Sequence, residues 1–122
     1  YAYSSLQKQN GCLPLGTDFP VEEISPFKTF YAAVARKDSK GFPEDGFLPA
    51  EKLTREQALR GMTIWASYSV FEEKNKGSIE KGKCADLTIL DRDIINCAEK
   101  ELLNTKVIAT FVNGEKVYSH KH

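Results

Sequence analysis

Apolar residues recur at helical spacing through most of the first two-thirds of the chain and gather into short β-branched runs in the last third. Over Tyr1 to Asn10, Leu6 stands on an otherwise polar stretch with Gly11 just beyond, which predicts the end of a helix closed by a glycine C-cap. Cys12, Leu13, Pro14 and Leu15, bounded by Gly11 and Gly16, predict a short strand buried on both faces, although Pro14 argues against a central place in a ladder. Beyond the loop Thr17-Asp18-Phe19-Pro20, Ser25 offers an N-cap hydroxyl and Pro26 a preset first helical residue. Phe27, Phe30, Tyr31 and Val34 then predict a helix over Pro26 to Arg36. Strand, polar loop and amphipathic helix make one βα unit.

Gly, Pro, Asp and Lys dominate Asp38 to Pro49, which predicts a surface loop. Thr54-Arg55-Glu56-Gln57 is a capping box. It opens a helix expected to run from Arg55 to Phe71, with Ala58, Leu59, Met62, Trp65, Ala66 and Ser69 on one face and Trp65 in the core. Leu87 to Leu90 and Val107 to Val112 read as strands. Asn113-Gly114 followed by Glu115-Lys116-Val117-Tyr118 carries the signature of a two-residue hairpin, so the tail is expected to be a small antiparallel sheet. Asp93 to Asn104 suits either a short helix or an irregular crossover.

Composition narrows the partners. At 122 residues the chain is the size of one ordinary domain. Its 17 Lys plus Arg balance 17 Asp plus Glu, so no charge field draws in nucleic acid. No apolar run approaches the ~20 residues of a membrane-spanning helix, so no membrane partner is expected. Cys12, Cys84 and Cys97 are an odd set without a paired CxxC, and read as buried thiols of a reducing compartment, which favours the cytoplasm. Gly77 to Asp86 contains no phosphate-cradling glycine pattern and is read as a turn.

Five segments carry a resemblance in order: Gly16-Thr17-Asp18-Phe19-Pro20-Val21, the Ser25-Pro26 helix, Leu53-Thr54 to Ala58-Leu59, Gly77-Ser78-Ile79-Glu80-Lys81-Gly82-Lys83-Cys84-Ala85-Asp86-Leu87, and Val112-Asn113-Gly114. Together they resemble the closing segments of the amidohydrolase superfamily, and most of all amidohydrolase family 3. The resemblance implies an α+β fragment: the last βα unit of a (β/α)8 metal-dependent hydrolase barrel, a long helix, and the C-terminal strands of a small composite β-sandwich domain. Residues 1–76 would belong to the barrel and residues 77–122 to the sandwich. The last barrel strand would be Cys12 to Thr17, with the active site at its C-terminal end.

Asp18 falls at that end and is the candidate catalytic and metal-facing residue. The resemblance implies that it takes a proton from a metal-activated water and passes it to the leaving nitrogen, with a divalent metal, zinc, as cofactor. The competing reading is an Asx-turn closed by the Asp18 side chain. A hydrolytic zinc takes about three protein ligands, and the family's other ligand segments have no counterpart in this sequence. Asp18 alone is therefore expected to leave the chain inactive. His120-Lys121-His122 imitates a metal-binding His-x-His pair, but its terminal place points to a solvated tail. Glu22 and Glu23 read as a solvated pair near the site, and Asp86 as a strand-entry residue.

The function expected on this basis is the C-terminal portion of a hydrolase acting on a non-peptide carbon–nitrogen bond of a small-molecule amide, formamide or cyclic amide. The rival is a stand-alone structural module. In either case an unpaired Cys12 to Leu15 strand and a helix face bearing Phe27, Phe30 and Tyr31 predict self-association as a homo-oligomer, unless the first twenty residues fold onto the second helix within one chain.

Overall fold

A computed structural model describes residues 1–121. Helix α1 spans Tyr3–Asn10 and stops at Gly11, whose φ of 74° is the left-handed conformation that glycine adopts without a Cβ penalty. Helix α2 spans Pro26–Ala35. Ser25 holds its N-cap position, yet no hydrogen bond runs from the helix to the Ser25 hydroxyl; the Lys28 N–H is met by the Ser25 carbonyl at 3.2 Å instead. The cap expected of that hydroxyl is not made.

Helix α3, Arg55–Met62, is opened by the full capping box: the Gln57 N–H donates to Thr54 Oγ1 at 3.1 Å and the Thr54 N–H to Gln57 Oε1 at 2.9 Å. Thr54→Ala removes the first of these bonds and is expected to lower stability by about 1 kcal/mol, read by urea denaturation. A loss near zero would mean that water serves the Gln57 N–H equally well.

The single long helix expected over Arg55 to Phe71 is in fact two. The break falls at Thr63 (φ −128°, ψ −97°), and α4 covers Ile64–Ser69. Its cause lies in another segment. The Gly61 carbonyl, which an unbroken helix would offer to residue 65, accepts the Leu15 N–H at 2.9 Å, and the Thr63 hydroxyl bonds back to the Leu59 carbonyl at 2.7 Å. Gly61 permits this approach, because a Cβ there would sit 2.7 Å from the Leu13 carbonyl oxygen and 2.8 Å from Leu15 Cγ. Trp65, on the short second helix, is half-buried and lies outside the main core cluster.

No strand forms over Cys12 to Thr17, against expectation. The segment is extended, but its neighbours are helices, and a ladder needs an adjacent strand. The strands lie at the other end: β1 (Leu87–Leu90), β2 (Val107–Val112) and β3 (Glu115–Ser119) form one antiparallel sheet in the order β1-β2-β3. Asn113 and Gly114 both take positive φ, 51° and 82°, as a tight hairpin of matching twist requires. Asp86 enters β1 and its carboxylate accepts the Asn113 N–H at 2.8 Å, tying the hairpin turn to the first strand. Between β1 and β2, a 3-10 helix over Glu99–Asn104 settles the segment that the sequence left open.

The core is built around α2. Phe30, Tyr31, Ala33 and Ala35 are buried against Leu53, Ala58 and Leu102, with Leu13 and Leu15 packed on the cluster. Of the residues named above for self-association, Phe30 and Tyr31 are 2% and 6% exposed within a single chain, and Phe27 is half-buried. The cysteines are all free, but none is fully buried: Cys84 is exposed, and Cys12 and Cys97 are half-buried. His120 is half-buried and its N–H donates to the Ile108 carbonyl at 2.8 Å, so pairing continues past β3 and this histidine is no solvated tail; His122 lies outside the described residues. Among the described residues no helix is long and apolar enough to cross a membrane.

Candidate active site

Asp18 follows the extended segment 12–17 and begins the turn that leads toward α2. Its φ of 57° places it in the left-handed region, which Asp and Asn enter more readily than other non-glycine residues. The turn is held by backbone: the Asp18 carbonyl accepts the Val21 N–H at 2.8 Å and the Glu22 N–H at 3.2 Å. The side chain takes no part. Among the described residues no hydrogen bond or ion pair holds the Asp18 carboxylate, and the residue is exposed. The Asx-turn that was the competing reading is therefore absent; Thr17 does that work, its hydroxyl accepting the Phe19 N–H at 3.3 Å.

Asp18 is among the residues that line a cleft of about 640 Å³ between α1, the extended segment and α2. Leu13, Leu15 and Leu103 supply apolar lining; Glu22, Glu23, Lys28, Tyr31 and Lys37 supply polar groups. The two lysines are already engaged. Lys28 Nζ sits 2.5 Å from Glu23 Oε1, and Lys37 Nζ 2.7 Å from Glu99 Oε1. The hydrogen bond to Glu99 raises the Lys37 pKa above its ordinary value, and burial followed by the Glu99 charge raises that of Tyr31. Glu22 and Glu23 are exposed, as the sequence reading had them, but Glu23 is paired with Lys28 rather than simply solvated.

The Lys37–Glu99 pair was not found from sequence. Its members stand 62 positions apart, and only the docking of α2 on the 3-10 helix brings them together. Chemically, the cleft offers two carboxylates without a hydrogen-bond or ion-pair partner among the described residues, those of Asp18 and Glu22, beside the Lys28–Glu23 and Lys37–Glu99 pairs. A metal centre is a different matter. Among the described residues no group of three or more His, Cys, Asp or Glu converges, so the chain's own residues do not fit a hydrolytic zinc, which needs about three of them.

Comparison with known proteins adds independent findings. The profile of the amidohydrolase family matches residues 1–118. N-substituted formamide deformylase of Arthrobacter pascens is 39% identical over 100 residues, covering 82% of this chain and 18% of that protein. Protein LONG AFTER FAR-RED 3 of Arabidopsis thaliana is 33% identical over 118 residues, covering 97% of this chain and 20% of that protein. The crystal structure of an amidohydrolase from Thermotoga maritima shares the fold, with a TM-score of 0.50 and 22% identity over 59% of this chain and 17% of its own. The chain thus spans about a fifth of the length of the curated relatives it matches.

Proposed function

This chain belongs to the amidohydrolase family, and on that premise we propose that it is the closing part of a hydrolase that cleaves a non-peptide carbon–nitrogen bond, with Asp18 as the proton acceptor it contributes. Residues 1–76 then close the barrel and residues 77–122 belong to the small β-sandwich. The observation that carries the reading is the place of Asp18: it lines the cleft at the end of the extended segment, its carboxylate has no hydrogen bond or ion pair among the described residues, and the turn that holds it does not use its side chain. A carboxylate spent on local structure is a poor base; this one keeps both oxygens available.

In hydrolysis, the oxygen of water forms a bond to the carbonyl carbon as the carbon–nitrogen bond breaks. One proton of that water passes to Asp18 and on to the leaving nitrogen. The name of the Arthrobacter relative favours an N-substituted formamide as substrate; other linear amides and cyclic amides make up the wider class proposed. The divalent metal expected of the family, zinc in the first instance, would draw its ligands from the four-fifths of the relatives that this chain does not match.

The test is an assay of the enzyme that carries this chain against N-substituted formamides, linear amides and cyclic amides, with products followed by chromatography. Cleavage in at least one class, with one water consumed per bond, is expected. A folded, metal-loaded enzyme that cleaves none of them would sink the reading.

A further inference from the structure

The turn that presents Asp18 depends on the residue before it. Both polar atoms of the Asp18–Phe19 peptide are engaged: its carbonyl accepts the N–H groups of Val21 and Glu22, and its N–H donates to Thr17 Oγ1. A peptide plane held at both ends leaves little freedom to the backbone on its Asp18 side, and so aims the Asp18 Cα–Cβ bond in one direction. The carbonyl end is closed by backbone alone and would survive any substitution in the turn that keeps the chain's path. The N–H end hangs on one side-chain oxygen. Phe19 is 61% exposed, and Asp18 is exposed with no side-chain hydrogen bond or ion pair among the described residues, so no other group replaces that oxygen.

We propose that Thr17 is a positioning residue: its hydroxyl, by holding the Phe19 N–H, sets the direction in which the Asp18 carboxylate faces the cleft. The inference rests on Asp18 being the proton acceptor. A base must stand within hydrogen-bond reach of the proton it takes, and displacement by about an ångström costs up to two orders of magnitude in rate. Only the hydroxyl is required. Serine retains it, and valine keeps the shape of threonine without it.

The experiment compares Thr17→Val, Thr17→Ser and Asp18→Asn in the enzyme that carries this chain, with turnover normalised to folded protein. Thr17→Val is expected to lower kcat on the order of tenfold with KM held within about twofold, and Thr17→Ser to restore kcat. Amide exchange at Phe19 in the 122-residue chain is expected to quicken in the valine variant and not in the serine one. Unchanged kcat in Thr17→Val, where Asp18→Asn lowers turnover by on the order of 10²-fold or more, overturns the inference while leaving the base in place. A raised KM with unchanged kcat makes Thr17 a substrate contact and overturns it too, as does equal Phe19 exchange in all variants. If Asp18→Asn itself leaves turnover intact, the reading of Asp18 fails, and the role of Thr17 falls with it.

Discussion

Phe30→Ala is expected to lower the stability of this chain by about 3–5 kcal/mol, the cost of emptying a buried aromatic site that cannot fully collapse. Phe30 is 2% exposed at the centre of the cluster formed by α2, Leu53, Ala58 and Leu102. Several of its partners are small. Ala33, Ala35 and Ala58 are almost wholly buried and have no longer side chain with which to fill the vacated space. Against a typical domain stability of about 5–15 kcal/mol, such a loss leaves a substantial unfolded population. Urea denaturation followed by Trp65 fluorescence reads it. A loss under about 1 kcal/mol would mean that the α2 core is looser than its burial indicates.

The elements that were legible in the sequence are those set by local rules. The capping box at Thr54, the proline that begins α2, the glycine that ends α1 and the Asn113-Gly114 turn each depend on residues within four positions of one another. All four stand where the pattern placed them. Departures arise where a distant segment decides. The break at Thr63 exists because the Leu15 N–H takes the Gly61 carbonyl, and nothing between Arg55 and Phe71 announces that. Likewise Cys12 to Leu15 has the apolar run of a buried strand, but strand character needs a neighbour with which to share hydrogen bonds, and here the segment lies against helix α3. At the candidate site, Asp18 was legible through the motif Gly16 to Val21. The division of labour between Thr17, which closes the turn, and Asp18, which is left free, was not, because both side chains can close such a turn and only the geometry separates them.

Asp18→Asn keeps the size of the side chain and removes its capacity to accept and hold a proton. Little stability should be lost, since the carboxylate makes no hydrogen bond or ion pair among the described residues and asparagine also tolerates the left-handed backbone at φ 57°. The chemical loss should be large. A positioned general base contributes about 10²–10⁴-fold to rate, and an amide oxygen in the same place is a far weaker base. The direct measurement of the central claim is therefore kcat of the Asp18→Asn enzyme beside the wild type, with the melting temperatures of both recorded under the same conditions. The account predicts turnover lower by on the order of 10²-fold or more with melting nearly unchanged; turnover within about twofold of wild type would contradict it.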